Sequence, residues 1–420
     1  MLSKSDNELL CRVGPGTPMG DVFRRFWHPV CLSEQVATPD GDPVRVELLG
    51  ERLVAFRDSD GKLGLLDEGC PHRGVSLALG RNEDKGLRCL YHGWKFAVDG
   101  TILDMPNCPD LKLAQSIRAR TYPAREAGGF LWAYIGPAEK MPQFPKWRFF
   151  DIPVANMRVN RIDAEVNYMQ QLEGGADTSH VGILHSNFAR PGWMTGAFNQ
   201  NKDQDNPAAL ATGDLAPTLL LEDTPFGFHY AAIRQVPGNE TDGTRNVRVV
   251  PIVMPSTRII PSPAVQFIIF EVPMNDTHTA TFAASYRLDG GPVDQWKLNE
   301  MSGRHDPDLF DEATHRYLGT WQNRFGQDRA RMSEDWSGIK GVVMEDMAIS
   351  LSQGAIADRS KEHLVPADQA VVRCRRRLLE SAKRVAAGGD PIGVEVDVST
   401  IRAIDATIPG NVRWQDLVTA

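Results

Sequence analysis

Residues 70 to 94 read CPHRGVSLALGRNEDKGLRCLYHGW and place two cysteines and two histidines in two short, similar segments. Cys70 and His72 form C-x-H, and Cys89 and His92 form C-x-x-H, with sixteen residues (73–88) between the pairs. Thiolate sulfur and imidazole nitrogen paired in this way are metal donors. Four donors from two loops imply a bound metal, and any fold of this chain must bring those two loops together.

Two chemistries compete for this donor set. Zinc held by two thiolates and two imidazoles is the plain structural alternative. The other is a Rieske 2Fe-2S cluster, in which two cysteines hold one iron and two histidines hold the second. The spacing favours iron. Zinc ribbons usually take both donors of a knuckle from cysteine, whereas each segment here mixes one sulfur with one nitrogen, so two metals can each receive like ligands from both loops. Gly74 and Gly93 follow soon after the histidines and are expected to turn tightly, pointing amide hydrogens at inorganic sulfide. Trp94 and Tyr91 read as core aromatics.

The chain has 420 residues, 42% hydrophobic and 24% charged, enough for one or two full cores without disulfides. Two domains are expected, 1–150 and 151–420, because PAEKMPQFPKWRFFDIP crowds Pro137, Pro142, Pro145 and Pro153 where neither a helix nor a central strand is favoured. With 54 acidic and 46 basic residues the formal charge is −8, and no basic stretch is dense enough to track a phosphate backbone, so nucleic acid is excluded as a partner. MLSKSDNELLCRVGPG lacks the apolar core of a signal peptide, and no window of about twenty apolar residues appears, so a cytoplasmic protein off the membrane is expected. In that reducing setting the six cysteines (11, 31, 70, 89, 108, 374) point to metal binding or packing rather than disulfides.

Ser5 and Glu8 form a capping-box pattern, with Gly14 as a stop, which predicts a helix over 5–13. PVRVELLG, ERLVAFR and LGLLD then alternate around the turn DSDGK, and WKFAV-DG-TILDM and GGFLWAYIG read the same way, predicting antiparallel hairpins in a small all-β unit. Beyond the prolines, strands are expected near 218–236, 245–254, 263–273 and 279–287, and helices near 305–320, 344–353 and 368–387, an α+β pattern. Residues 186–216 read as a long mobile loop of the kind that serves as a lid or entrance.

LEGGADTSHVGILH, 172–185, contains Asp177, His180 and His185 as D-x-x-H-x-x-x-x-H. On a regular helix, at about 100° per residue, His180 and His185 lie roughly 140° apart, so an unbroken helix cannot aim both imidazoles at one atom. Gly182 stands between them and is the expected point of distortion. Alone, two histidines five apart read more readily as unrelated polar or packed residues. D-x-x-H-x-x-x-x-H downstream of C-x-H and C-x-x-H, however, resembles the oxygenase (alpha) subunits of the Rieske non-haem iron ring-hydroxylating family, over essentially the whole length. VGPGTPMG near the start and SQGAIADRSKEHL near the end resemble its phthalate 4,5-dioxygenase-like branch.

That resemblance implies an N-terminal all-β Rieske domain and a C-terminal α+β catalytic domain, a helix-grip antiparallel sheet with helices. It implies two cofactors, a 2Fe-2S Rieske cluster on Cys70, His72, Cys89 and His92, and a mononuclear Fe(II) on His180, His185 and a downstream carboxylate. GVVMEDMAISLSQG offers Glu345 and Asp346. The resemblance selects Asp346 and leaves Glu345 as an ordinary first-turn acid favoured by the helix dipole. Asp177 reads either as a carboxylate at a helix N-terminus or as a partner orienting the His180 ring. The resemblance adds that it bridges His180 to the His92 of a neighbouring copy in a head-to-tail homo-oligomer, most often a trimer, without a beta subunit. Many relatives carry asparagine where Glu173 stands, so no role of that amide carries over.

The implied activity is insertion of O2 into an aromatic, carboxylated, phthalate-like substrate. A separate NAD(P)H-dependent reductase is the expected electron donor, since the chain has no G-x-G-x-x-G after a strand. A monooxygenase or an O- or N-demethylase uses the same iron ligands, and a pure electron-transfer protein is the remote alternative. A carboxylated substrate calls for a cation in an apolar pocket; Arg248, Arg234 and Arg258 are candidates, but each reads more readily as an ion-paired or surface arginine and none is assigned to the site.

Overall fold

The computed structural model describes residues 2–108, 111–186, 214–236, 243–261, 265–287 and 289–418. Of the expected loop over 186–216, all but Ser186 and residues 214–216 lie outside the described residues. Helix α1 (Lys4–Cys11) starts earlier than the capping-box pattern suggests. Ser3 is its cap, with Oγ accepting the Asp6 N–H at 3.0 Å, and the helix ends before an extended Arg12 rather than at Gly14. Helix α2 is Pro18–Phe23.

The hairpins follow the predicted alternation. Strands β1 (His28–Leu32), β2 (Val44–Leu48), β3 (Glu51–Arg57), β4 (Leu63–Asp67), β5 (Arg81–Glu83), β6 (Gly86–Arg88), β7 (Lys95–Phe96), β8 (Ile102–Asp104), β9 (Ala124–Ala127) and β10 (Phe130–Ala133) form three small antiparallel sheets, β2-β3-β4, β5-β6-β7-β8 and β1-β10-β9. In β2, Val46 and Leu48 are buried while Arg45 is exposed and Glu47 only half-buried, as period two requires. The two C/H segments are connections in this unit: Cys70–Val75 lies between β4 and β5, and Cys89–Trp94 joins β6 to β7. Helix α3 (Leu111–Ser116) lies between β8 and β9. The proline-crowded stretch holds only short 3-10 turns, at Ala138–Lys140, Arg148–Asp151 and Val154–Asn156.

The second half is built on one large sheet. Its strands are β11 (Met157–Ala164), β12 (Thr218–Thr224), β13 (Gly227–Gln235), β14 (Arg245–Val253), β15 (Thr257–Ile260), β16 (Val265–Asn275), β17 (His278–Arg287), β18 (Phe310–Asp311), β19 (Arg316–Tyr317) and β20 (Ile404–Ile408). They run in the order β12-β13-β14-β15-β16-β17-β11-β19-β18, with β20 paired to β14. Helices α4 (Tyr168–Ala176), α5 (Gln295–Ser302), α6 (Val342–Ser352), α7 (Gln369–Ala386) and α8 (Trp414–Val418) complete the α+β unit.

One expected helix is absent. Residues 305–320 carry the short β18–β19 pair, and α5 comes earlier. Asp306 and Asp311 accept backbone N–H groups of Asp308 and Ala313 at 3.0 and 2.9 Å, turn chemistry that outcompetes the helical ladder.

The two halves share one core. Phe130 and Trp132 of β10 pack edge-on against Phe270 and Phe282 of the large sheet, and the Leu49 N–H donates to the Pro273 carbonyl at 3.0 Å. No helix among the described residues is long and apolar enough to cross a membrane.

Candidate metal centres

The two cysteine loops are built alike. In the first, the Cys70 N–H donates to the Val75 carbonyl and the Gly74 N–H to the Cys70 carbonyl, both at 2.8 Å. In the second, the Cys89 N–H donates to the Trp94 carbonyl at 2.8 Å and the Gly93 N–H to the Cys89 carbonyl at 3.1 Å. Both glycines have positive φ, +72° and +77°, four residues after their cysteine. Their amides close their own loops, so the expectation that they point at sulfide is replaced by a turn-forming role.

These closures bring the four donors into one place. Cys70 and Cys89 are buried and the His72 and His92 rings, centroids 4.5 Å apart, are only partly covered. Burial, with the Cys89 thiol alongside, pushes the Cys70 thiol up to about 11 against the pull of the His72 and Arg73 amides, so a bound cation is what would hold it as thiolate. Burial lowers the His92 imidazole below its ordinary value, helped by His72 and Arg73, which keeps it neutral and able to ligate. Sulfur inside and nitrogen outside fits a cluster whose histidine end faces the surface.

Trp94 does more than fill the core. Its ring stacks on His72 at 4.6 Å and 6°, and its Nε1 donates to Asn107 Oδ1 at 2.8 Å. Tyr91, expected in the core, is exposed; its ring lies 3.8 Å from that of His92, and its hydroxyl accepts from Arg73 at 3.1 Å.

The second group forms where α4 ends. Asn167 caps α4 through the Met169 N–H, and the helix stops at Ala176, well before Gly182. Asp177 is therefore at a helix C-terminus, not an N-terminus, with its N–H on the Glu173 and Gly174 carbonyls. Its Oδ1 accepts from the Ser179 N–H and Oγ, both at 2.7 Å, and turns the chain into a 3-10 turn, His180–Gly182. With no regular helix spanning the two histidines, their rings converge, centroids 5.1 Å apart.

Asp346, in the first half of α6, completes the group. His180, His185 and Asp346 offer one donor atom each, all within 4.8 Å of one another. Nε2 of His180 and of His185 stand 3.7 and 3.1 Å from Asp346 Oδ1. Each Nδ1 faces a different carboxylate: Asp177 Oδ2 at 3.6 Å from His180, and Glu345 Oε2 at 2.6 Å from His185. Glu345 is thus no ordinary first-turn acid. It is the residue missed in the sequence, where only its place beside Asp346 marked it.

The electrostatics match a cation site. Burial disfavours a charged His185, yet Asp346 and Glu345 push it up to about 10. Asp346 is held below its ordinary range despite burial, by His185, His180 and Arg258. Burial raises Glu345, with His185 and Ser337 pulling it back. Two imidazoles and a carboxylate on one side of a point, with two further carboxylates behind the imidazoles, suit a divalent iron ion.

Helix α4, which leads into the two histidines, and α6, which bears Asp346, are locked together by the SQGAIADRSKEHL segment. Gln170 of α4 donates to the Ser350 and Gly354 carbonyls at 3.0 and 2.8 Å and accepts the Ala357 N–H at 3.0 Å. Glu173 takes the buried Arg359 in a bidentate pair at 2.8 and 2.7 Å and Arg375 of α7 at 2.6 Å.

Of the three candidate arginines, Arg258 pairs with buried Glu271 and Arg248 with Asp405 of β20, at 2.7 Å for the latter. Arg234 is buried and has no ion pair among the described residues; its Nη2 donates to Thr178 Oγ1 at 3.2 Å, two residues before His180.

Two family models together match most of the chain. The family model described as "Rieske [2Fe-2S] domain" matches residues 26–122, and "LigXa C-terminal domain like" matches 133–420. The phthalate 4,5-dioxygenase oxygenase subunit of Pseudomonas putida is 40% identical over 99% of this chain and 94% of its own length. The 3-chlorobenzoate-3,4-dioxygenase oxygenase subunit of Comamonas testosteroni is 36% identical over 94% and 92%. Among solved structures, the terminal oxygenase of carbazole 1,9a-dioxygenase from Nocardioides aromaticivorans IC177 shares the fold, with a TM-score of 0.57 at 19% identity over 90% of this chain and 97% of that one.

Proposed function

We propose that this chain, which belongs to the Rieske non-haem iron oxygenase family and is an oxygenase subunit with a 2Fe-2S cluster and a mononuclear iron, dihydroxylates the ring of an aromatic carboxylate. Residues 1–150 carry the cluster on Cys70, His72, Cys89 and His92, and residues 151–420 carry the iron on His180, His185 and Asp346. The observation that carries this reading is the convergence of two Nε2 atoms on Asp346 Oδ1, with both Nδ1 atoms turned to carboxylates. When bound, the cluster supplies single electrons and the ferrous ion activates O2.

The protein's own residues do the rest. Asp177 keeps Oδ2 free of Ser179 and directed at His180 Nδ1, with a quarter of its side chain exposed, which suits a link to the surface-facing His92 of a neighbouring copy. A head-to-tail homotrimer without a beta subunit, fed by a separate reductase in the cytoplasm, follows on this reading.

The substrate class is supported by charge. Arg234 and Arg248 lie on one face of β13 and β14, since Ala232 pairs with Arg248 and Arg234 lies two residues along β13 from Ala232. Asp405 pairs with Arg248, while Arg234 has no ion pair among the described residues and stands beside Thr178, close to the His180 turn. In a dry site a substrate carboxylate is the natural counterpart. Relatives named for phthalate and 3-chlorobenzoate fit this.

Arg234→Gln is expected to lower kcat/KM for aromatic carboxylates by roughly 10- to 100-fold, the scale of a charged hydrogen bond, while leaving cluster reduction unchanged; an unchanged kcat/KM would remove Arg234 from the site. His180→Ala tests the function itself: cluster reduction persists and turnover is lost, whereas full turnover would refute the oxygenase site. Isotopic O2 separates dioxygenation from monooxygenation or demethylation, with two labelled atoms expected in one product.

A further inference from the structure

Each histidine of the second centre turns Nδ1 to a carboxylate, but the two carboxylates are held very differently. Asp177 stands 3.6 Å from His180, is partly exposed, and spends its other oxygen on its own turn. Glu345 is almost fully buried, 2.6 Å from His185 Nδ1, and its Oε1 accepts from Ser337 Oγ at 2.5 Å. Ser337 is itself fixed, since its Oγ accepts the Ile339 N–H at 3.0 Å. Glu345 and Asp346 are consecutive on α6, so one helix turn meets His185 at both ring nitrogens, Nδ1 from Glu345 and Nε2 from Asp346.

We propose that Glu345 is a positioning residue that makes His185 the rigid anchor of the iron site and leaves His180 as the compliant ligand. The proposal rests on reading His180, His185 and Asp346 as the iron ligands. A buried carboxylate accepting from Nδ1–H fixes the tautomer, presents Nε2 as the donor, and raises its basicity. The longer Asp177–His180 contact provides little such restraint, so the ligand on the Asp177 side can adjust while the α6 side stays in place. Stable iron retention and responsiveness are thereby assigned to different histidines.

The test measures Fe(II) affinity of the full-length protein by competition with a chelator, together with the spin-resonance spectrum of the nitrosyl-treated ferrous site. Glu345→Gln keeps an oxygen acceptor but removes the charge; it is expected to weaken iron binding roughly 10- to 100-fold, the usual range for such outer partners, and to change the nitrosyl spectrum, with the cluster's visible spectrum unchanged. Asp177→Asn, at the longer 3.6 Å contact, is expected to weaken iron binding far less than Glu345→Gln does. Wild-type affinity in Glu345→Gln, or equal iron loss in Asp177→Asn, overturns the proposal. Should Glu345→Gln fail to fold, Ser337→Ala decides: a smaller but measurable loss of affinity supports the anchor, and none overturns it. His185→Ala separates the levels. Iron retained in that variant refutes the iron-site reading itself, whereas iron lost there and kept in Glu345→Gln refutes only the role of Glu345.

Discussion

Gly74 and Gly93 occupy equivalent corners, but their surroundings differ. A Cβ on Gly74 would meet nothing within 4 Å, whereas one on Gly93 would lie 3.1 Å from Pro106 Cγ. Gly74→Ala therefore carries only the left-handed backbone penalty, roughly 1–2 kcal/mol, and Gly93→Ala carries that plus crowding. Thermal midpoint and iron-to-sulfide content should rank them wild type, Gly74→Ala, Gly93→Ala; equal effects would show that Pro106 yields freely. At this scale the sequence was most informative about donors, because thiol and imidazole declare their chemistry by type and spacing. Glu345 was opaque: its role depends on which ring nitrogen faces it, and that is set by the meeting of α6 with the turn after α4.

The turn after α4 and helix α6 carry the iron-site donors, and buried polar groups hold α4 and α6 together. Arg359 is fully buried with Glu173, Asn7 and Cys11 around it. Arg359→Met strips the charge from a buried pair, and about 3–5 kcal/mol of stability should go with it, with Arg375 still on Glu173 moderating the loss. Chemical denaturation measures this; a change below about 1 kcal/mol would mean that the pair is idle. SQGAIADRSKEHL was recognisable only as a resemblance, since nothing in its spacing says that its Gly354 carbonyl and Ala357 N–H both meet Gln170. The strands were legible because alternation is local. The absence of a helix over 305–320 was not, because aspartates at 306 and 311 divert the backbone into turns that propensity alone does not foresee.

For the molecule as a whole, two buried histidines set a limit in acid. Burial lowers His28 to about 4, with its Nε2 on the Phe23 carbonyl and Arg24 nearby, and lowers His229 to about 4. Both folded values lie below the unfolded one of about 6.5, so as pH falls the unfolded chain takes up protons first. Their contribution is full above pH 6.5 and is lost progressively down to about 4, at up to about 1.4 kcal/mol per pH unit for each. Urea midpoints between pH 7 and 4.5 should fall accordingly, and His229→Phe should flatten the slope; an unchanged slope would assign acid sensitivity elsewhere. The shared core of Phe130, Trp132, Phe270 and Phe282 ties the two halves together, a feature that no reading of separate domain patterns contains.

The central claim is that this chain holds two distinct iron centres, and anomalous diffraction at the iron edge from fully metallated crystals tests it most directly. One peak is expected among Cys70, His72, Cys89 and His92, resolvable into two irons at high resolution, and a separate single peak among His180 Nε2, His185 Nε2 and Asp346. Absence of iron density at the second position would contradict it.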